Sequence, residues 1–361
     1  MKNILGKTAL LASALLFSIT GTSCSSDDSP VPEQEKQYDM SGFAKGADVS
    51  WLTEMEADGV KFYNAEGKAQ ECMTLLRDLG TNSIRLRVWV DPDGGWCGKN
   101  DVVAKAWRAQ KLGFRLMIDF HYSDTWADPA HQTMPKAWQG YDAEQMKQAV
   151  ANHTTEVLTA LKDRGITNVE WVQVGNETRD GMLWSDDAAT TGQTSKNAAN
   201  FAAYINAGYD AVKAVYPQAK VVVHVDEGNN LSRYTWLFDE LKNHGGKWDV
   251  IGMSLYPDDD NWQKLTADCC ANINTLASKY SCNVVVSEIG MWWGSTQAAT
   301  MMKTMVDGCK AIAACEGIFY WEPEVYNNWK PANYTTLGWD AYTKGAFDNS
   351  GKPTAVFDAY Q

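Results

Sequence analysis

Eight short β-branched runs separated by longer amphipathic stretches dominate the sequence from Phe43 onward. The predicted strands cover residues 43–49, 83–90, 115–120, 169–174, 220–225, 250–255, 283–287 and 317–321. The predicted helices cover residues 69–79, 102–112, 143–164, 196–216, 234–243, 262–280 and 297–314. Strands that alternate with helices form parallel sheets, and eight such units close into a (β/α)8 barrel. The sequence therefore predicts an α/β fold with a single (β/α)8 TIM barrel.

The main alternative is a doubly wound open sheet, which uses the same alternation of strands and helices. In its dinucleotide-binding form a Gly-x-Gly-x-x-Gly motif follows the first strand, and no such motif follows residues 43–49. The sequence after residue 41 contains no Pro-, Gly- or Ser-rich linker and no internal repeat. We therefore expect residues 42–361 to form one catalytic domain, with its site at the carboxyl ends of the strands.

The first residues have the layout of an export signal. Lys2 and Lys7 precede an apolar run, residues 9–19, that is too short to span a bilayer. The Gly-Thr-Ser-Cys sequence at 21–24 resembles a bacterial lipobox, in which cleavage leaves the thiol of Cys24 to carry lipid. Simple cleavage nearby, with a free thiol at this position, is the alternative.

These features predict a lipoprotein signal peptide at residues 1–23 and a flexible tether at residues 24–41. The acidic Ser-Ser-Asp-Asp sequence at 25–28 resembles the surface-export signal of Bacteroidetes lipoproteins. We therefore expect an outer membrane lipoprotein at the cell surface, attached to the membrane by lipid on Cys24 only.

Charge and aromatic content narrow the class of ligand. The formal net charge is -13 and the pI is about 4.9, so the chain lacks the basic surface that binds phosphate backbones. Nucleic acid is therefore not an expected partner. The chain has 16 Trp residues, and a Trp that remains exposed is best satisfied by a flat partner such as a sugar ring. We expect a monomer that needs no cofactor.

Cysteine usage fits an exported protein without fixing the pairing. The chain has eight cysteines, and Cys24 is expected to carry lipid. The other seven are an odd number, so at least one thiol must be unpaired. The sequence has no Cys-x-x-Cys or His-x-x-His cluster, and we expect no structural zinc. We predict a disulfide between Cys72 and Cys97, because both would lie at the same end of the barrel in adjacent units. Two unpaired thiols at that end are the alternative.

Two glutamates at strand ends suggest the chemistry. Glu177 follows the fourth strand and Glu288 ends the seventh, so their carboxylates can face each other across the barrel mouth. Glycoside hydrolysis uses one carboxylic acid to protonate the leaving oxygen and one carboxylate to attack or to activate water. Asn176 offers an amide that can bind a sugar 2-hydroxyl. A single glutamate at a strand end is commonly just a solvated charge, but polar and aromatic residues end seven of the strands.

The sequence resembles a known family at this point. Asn176-Glu177 and Glu288 look like the acid/base and nucleophile of the clan of retaining (β/α)8 glycosidases. Within that clan, longer segments resemble glycoside hydrolase family 53, the endo-β-1,4-galactanases. These segments are 46–50 (GADVS), 84–89 (IRLRVW), 119–129 (DFHYSDTWADP) and 174–177 (VGNE).

The resemblance implies a role for each matching residue. Glu177 would be the general acid/base and Glu288 the nucleophile, while Arg87 and Tyr256 would hydrogen-bond near Glu288 and keep it ionised. His121 would line the cleaved subsite, and Trp321 would lie under the sugar next to the cleaved bond. The further candidates for sugar binding are Asp124, Trp126, Asp128, Asn176, Asp226 and Trp293. Asp48 is a weaker candidate, and Arg85 and Asp119 could simply be ion-paired inside the barrel.

One loop departs from the pattern of some bacterial members of the family, which bind calcium after the seventh strand. Here residues 289–296 contain no carboxylate, whereas calcium requires six to eight oxygen ligands. We therefore expect no metal in this loop. The acidic residues 258–261 after the sixth strand could hold a cation, although a solvated acidic loop explains them better.

The function implied by the resemblance is retaining endo-β-1,4-galactanase activity on the galactan and type I arabinogalactan side chains of pectin. β-1,4-Galactan is thus the expected partner. Two alternatives remain at this stage. One is another retaining endo-glycanase that acts on mannan, xylan or glucan, against which residues 124–128 argue. The other is a surface glycan-binding lipoprotein without catalysis, which would not need both glutamates.

Overall fold

A computed structural model describes residues 36–361, and eight parallel strands form its centre. The strands are β1 (Ala44–Asp48), β2 (Ser83–Val88), β3 (Arg115–Phe120), β4 (Val169–Val174), β5 (Lys220–Val225), β6 (Val250–Leu255), β7 (Asn283–Ile289) and β8 (Cys315–Trp321). Each pairs with its neighbours in chain order, and β8 pairs with β1, so the sheet closes into a barrel. The predicted (β/α)8 fold is therefore confirmed.

Helices cover the outside of the barrel. They are α1 (Leu52–Ala57), α2 (Cys72–Asp78), α3 (Lys99–Lys111), α4 (Ala143–Asp163), α5 (Thr194–Val215), α6 (Leu231–Asn243), α7 (Trp262–Tyr280), α8 (Ala298–Lys310) and α9 (Ala332–Leu337). Several begin or end with recognisable signals: Asp142 forms a capping box with Gln145 at the start of α4. The strands are almost entirely buried, because helices cover one face and the barrel interior the other.

Side chains fill the lower half of the barrel and leave its upper end for polar groups. The interior layer contains Ala44, Met117, Trp171, Val222, Val250, Val285 and Phe319. Trp171 and Phe319 meet edge to face, with their ring centroids 5.8 Å apart. A Cβ atom at Gly46 would lie 2.2 Å from the Phe319 ring, so only glycine fits there. This packed layer supports the carboxyl ends of the strands, where the site lies.

The predicted Cys72–Cys97 disulfide is wrong. All seven cysteines in the described part of the chain are unpaired. Cys97 has a φ of 61° and points its thiol into the barrel, where Sγ lies 3.5 Å from Nη2 of Arg87 and 3.6 Å from the carbonyl oxygen of Ser50. Cys72 instead packs into the hydrophobic core from α2. Sharing one end of the barrel is therefore not enough to bring the two thiols together.

The predicted signal peptide and most of the predicted tether, up to residue 35, lie outside the described residues. From Tyr38 to Gln361 the chain forms one compact unit. Among the helices of the described residues, none has the length and apolar character needed to cross a bilayer.

Candidate active site

A cavity of about 340 Å³ opens at the carboxyl ends of the strands. Its walls are formed by His121, Trp126, Ala127, Asp128, Asn176, Glu177, Tyr256, Glu288, Trp321, Tyr334, Trp339, Tyr342 and Lys344. Both predicted catalytic glutamates are among them, together with six of the ten residues predicted to bind substrate. The strand ends thus converge on one cavity, as the barrel fold requires.

Glu288 lies in an irregular part of β7 and is fixed by two donors. The pairing of β6 with β7 shifts between Met253 and Ser254, which leaves one extra residue in β7 directly before Glu288. Arg85 approaches Oε1 to 3.0 Å, and the Tyr256 hydroxyl donates to Oε2 at 2.7 Å. The Glu288 carboxylate is therefore anchored at both oxygens.

Arg85 is the cation at the centre of the site, although Arg87 was predicted to contact Glu288. The fully buried guanidinium of Arg85 lies 2.7 Å from Asp48 and 2.9 Å from Asp119, besides its contact with Glu288. Arg87 forms its ion pair with Glu322 at 3.1 Å instead. The prediction that Arg87 contacts Glu288 is thus wrong.

The sequence does not distinguish the roles of the two arginines, because both side chains point into the barrel. They are two residues apart on β2, and strand periodicity places such residues on the same face. Arg85 pairs in register with Asp48, whereas Arg87 lies one layer nearer the rim. There the Arg87 guanidinium lies 4.2 Å from the ring centroid of Trp126, so it supports an aromatic wall of the cavity.

Glu177 is held in an uncommon backbone conformation beside a single hydroxyl. Its φ is 45°, in the left-handed region that non-glycine residues rarely adopt. Such strained positions concentrate at functional sites. In the described residues its carboxyl group has one hydrogen-bond partner, Ser254, whose Oγ lies 2.7 Å from Oε1.

The two glutamates therefore differ in their electrostatic surroundings. Burial raises the pKa of both carboxyls, and Arg85 and Tyr256 oppose that rise at Glu288. At Glu177 the negative charge of Glu288 adds to the effect of burial, and its pKa lies well above the ordinary value. Of the two, Glu177 is the carboxyl that retains a proton more readily.

His121 lines the cavity as a neutral imidazole. Its Nδ1 faces two donors, the main-chain N–H of Ala127 at 3.1 Å and the indole N–H of Trp89 at 3.2 Å, so Nε2 carries the proton and donates to Asp119 at 3.1 Å. Burial lowers the pKa of His121 well below its usual value, and Arg87 and Arg85 lower it further. His121 is thus held rigidly against the floor of the site.

Besides Arg87, three predicted sugar-binding residues lie outside this cavity. Asp124 lines a neighbouring cavity of about 480 Å³ and accepts the main-chain N–H groups of Asp91 and Lys136. Asp226 is ion-paired with Arg179 and Arg233. Trp293 is exposed on the loop after β7. A role of these residues in binding sugar stays a prediction.

Sequence reasoning missed two groups of residues at the site. One is a buried polar cluster behind Glu177, formed by Gln173, His224 and Ser254. Strand periodicity could have found His224 and Ser254, because each lies two residues before a candidate, Asp226 and Tyr256.

The second missed group is the aromatic wall from the C-terminal segment. Tyr334 lies on α9, and Trp339, Tyr342 and Lys344 follow it in a stretch without regular structure. The Tyr342 and Trp321 rings meet edge to face at 4.6 Å. The high aromatic content of residues 326–342 is the only signal in the sequence for this wall.

No metal site is found among the described residues, where no three His, Cys, Asp or Glu side chains form a group able to hold an ion. In the acidic loop after β6, Asp258 lies 3.7 Å from Nζ of Lys344, and Asp259 accepts a hydrogen bond from Ser295. Two of the three aspartates there thus have partners within the chain.

Comparisons with known proteins agree on one family. The sequence profile of Glycosyl hydrolase family 53 matches residues 44–360. The chain is 29% identical over 342 residues to the arabinogalactan endo-β-1,4-galactanase of Thermothelomyces thermophilus, covering 88% of this chain and 98% of that protein. It is 30% identical over 341 residues to the endo-β-1,4-galactanase of Bacillus subtilis, covering 84% and 75%.

A solved structure gives the same result. The fold matches a chain from a structural study of two fungal β-1,4-galactanases. The TM-score is 0.77 and the sequence identity 27%, and the match covers 89% of this chain and 99% of that chain. The likeness therefore extends over the whole barrel and is not confined to the motifs at the strand ends.

The buried carboxyls predict how stability depends on pH. Burial raises the pKa of Glu322 to about 8 and that of the neighbouring Glu324 well above its usual value, so the folded chain keeps protons that the unfolded chain releases near pH 4. Their contribution to stability is full below pH 4 and is lost as pH rises through the folded pKa values. The buried His121 and His224, whose pKa values burial lowers, act in the opposite direction only below about pH 6.5.

We therefore expect the melting temperature to fall by several degrees between pH 7 and pH 9. Each proton that the folded chain retains and the unfolded chain has released lowers the free energy of unfolding by about 1.4 kcal/mol per pH unit. Differential scanning calorimetry at constant ionic strength measures this directly. A melting temperature that rises over this range would contradict the assignment of protonated buried carboxyls.

Proposed function

The chain belongs to glycosyl hydrolase family 53, and from this premise we propose that it is a retaining endo-β-1,4-galactanase. Its substrates would be the galactan and type I arabinogalactan side chains of pectin. The observation that carries the proposal is the unequal pair of carboxyls in one cavity: Glu288 is anchored by Arg85 and Tyr256, whereas Glu177 lies half-buried beside Ser254 and holds its proton. A double displacement requires one ionised carboxylate that attacks and one protonated carboxyl that donates its proton.

In the first step Glu288 attacks the anomeric carbon of the sugar. The glycosidic C–O bond breaks, and Glu177 gives its proton to the leaving oxygen. The product is an ester between the sugar and Glu288. Arg85 and Tyr256 support this step because they favour the ionised form of Glu288 before attack.

In the second step water replaces the ester. Glu177, now a carboxylate, takes a proton from the water as its oxygen attacks the anomeric carbon, and the ester bond to Glu288 breaks. Burial raises the pKa of Glu177 most, and the charge of Glu288 is the next largest cause, so the pKa of Glu177 falls once the charge of Glu288 is neutralised in the ester. It can therefore act as a base in this step.

The cavity walls suit a neutral sugar. Trp321 and Trp126 present aromatic surface, with ring centroids 6.0 Å apart, and apolar C–H faces of sugars pack on such rings. His121, Asn176 and Asp128 line the same cavity and offer polar groups to the hydroxyls. Binding energy from these contacts would position the anomeric carbon between the two carboxyls.

The choice of galactan over other glycans rests on the family and on its named galactanases. Mannan, xylan and glucan remain the alternative substrates, since they too are β-linked and neutral. The hydrolase family argues against a glycan-binding protein without catalysis, and binding alone gives no reason for two carboxyls of unequal pKa in one cavity.

We predict that the protein releases reducing ends from β-1,4-galactan faster than from mannan, xylan or glucan. Glu177→Ala and Glu288→Ala should each lower kcat by roughly 10³-fold or more, because each removes a group that takes part in bond breaking. Glu66→Ala, at an exposed turn, serves as the matched control and should leave the rate unchanged. Activity that survives in Glu288→Ala, or a preference for another glycan, would count against the proposal.

A separate prediction concerns stereochemistry. Two successive displacements restore the original configuration, so the first reducing ends formed should be β-anomers. Proton NMR during the first minutes of hydrolysis, before mutarotation, distinguishes the two anomers. Early α-anomers would show that Glu288 activates water instead of forming an ester.

We also propose that the mature protein is a monomeric outer membrane lipoprotein at the cell surface, held by lipid on Cys24. The supporting observations are the lipobox-like sequence and the acidic residues after it.

Cys24→Ala should therefore move the protein from the membrane fraction to the soluble fraction and abolish incorporation of labelled palmitate. Cys282→Ala keeps the lipobox intact and is the matched control. Unchanged fractionation of Cys24→Ala would disprove the lipid anchor.

A further inference from the structure

A chain of hydrogen bonds connects Glu177 to two buried side chains that do not line the cavity. Ser254 Oγ lies 2.7 Å from Oε1 of Glu177. On its other side it lies 2.8 Å from Nε2 of His224, whose Nδ1 lies 2.9 Å from Oδ1 of Asn176. Ser254 and His224 are 1% and 0% exposed, so water does not supply alternative partners. The direction of each bond can be worked out from the far end.

The far end of this chain has a known polarity. Arg85 Nη2 lies 3.0 Å from Oδ1 of Asn176, and a guanidinium can only donate. Gln173 Nε2 donates to the same atom at 3.0 Å. The Asn176 atom that faces His224 is therefore an oxygen, and the His224 Nδ1 must carry a proton. The main-chain N–H of Glu177 is 3.4 Å from this nitrogen, beyond the usual hydrogen-bond range, and does not compete.

The charge state of His224 decides the next bond. Burial lowers the pKa of His224 well below its usual value, and the charge of Arg85 lowers it further. A neutral imidazole carries one proton, which is already on Nδ1, so Nε2 has only a lone pair. Ser254 must therefore donate its single hydroxyl proton to His224. Its Oγ then offers a lone pair, and no proton, to Glu177.

We propose that His224 and Ser254 are positioning residues that hold the acid proton on Oε1 of Glu177. A carboxylate oxygen 2.7 Å from a lone pair would be repelled, whereas a protonated carboxyl group donates a good hydrogen bond at that distance. The N–H that Arg85 donates to Asn176 thus fixes the direction of the bonds through His224 and Ser254, and with it the protonation of a residue that Arg85 does not touch.

This inference rests on the proposed function, in which Glu177 protonates the leaving oxygen. With the cavity empty, the proton points away from the cleft. The terminal torsion of a glutamate is soft and roughly two-fold, so a half-turn of the carboxyl group presents the proton to a bound sugar.

Other charged groups around Glu177 act in the same direction, with one exception. Glu288 from β7, Asp226 at the end of β5 and Asp128 in the loop after β3 favour the protonated form. Arg179, which follows Glu177 in the same loop, favours the ionised form. The Tyr256 phenol at the end of β6 is neutral, because burial and Glu288 raise its pKa well above the usual value.

The test is the sign of a pH shift. Ser254→Ala removes the acceptor of the acid proton, so the alkaline limb of the kcat/KM profile should move down by about 0.5 to 1 pH unit. If Ser254 instead donated to ionised Glu177, the limb would move up. An upward shift or no shift overturns the proposal.

Two further variants separate the hydrogen bond from a general structural effect. Ser287→Ala removes a buried hydroxyl that has no hydrogen-bond partner, one residue from Glu288, and should leave the limb in place. His224→Asn can still donate to Asn176 but no longer accepts from Ser254, so the limb should again move down. A shifted limb in Ser287→Ala, or an unshifted one in His224→Asn, also overturns the proposal.

A readout without substrate distinguishes this proposal from the proposed function. Carbon-13 NMR of carboxyl-labelled glutamate, assigned with Glu177→Gln, follows the titration of Glu177 in the full chain and in Ser254→Ala. A lower pKa in Ser254→Ala supports the hydrogen-bond direction even if galactan is not hydrolysed, which would refute only the proposed function. Galactan hydrolysis without this change refutes the hydrogen-bond direction alone.

Discussion

The site depends on one buried cation that is shared by three carboxylates. Arg85 binds Asp48 on β1, Asp119 on β3 and Glu288 on β7, and all three lie within 3.0 Å of its guanidinium. Each buried charge would be costly alone, and removing one partner leaves the others uncompensated. The same contacts that fix Glu288 therefore hold together the ends of four strands. Arg85 therefore serves both the stability of the barrel and the position of Glu288.

Much of the barrel could be predicted from sequence because its strands have strong local patterns. Residues 115–120, 169–174, 220–225 and 250–255 are strands with the predicted bounds. Buried parallel strands produce short β-branched runs, and these are visible without any tertiary information. The barrel order follows from the alternation with helices. The two glutamates were found because strand ends meet at one rim of such a barrel.

The features that could not be predicted depend on the height of a side chain within the barrel and on the conformation of the loops. Periodicity places Arg85 and Arg87 on the same face but does not say which lies level with Glu288. The thiols of Cys72 and Cys97 share an end of the barrel, yet backbone conformation turns one of them inward. Tyr334 and Trp339 reach the cavity through a C-terminal segment that has no strong pattern of its own. Each failure concerns a distance across the fold, which local sequence does not encode.

The polarity of β1 has a consequence for how the protein meets a polymer. Every strand runs from the floor of the barrel to the cavity, and β1 begins at Ala44, so the preceding chain joins the barrel at the face opposite the active site. A segment that joins the barrel at that face does not cross the cleft, so the chain before β1 leaves the path of an entering polymer free. Strand direction thus separates the face where the chain enters the domain from the face where a polymer is bound.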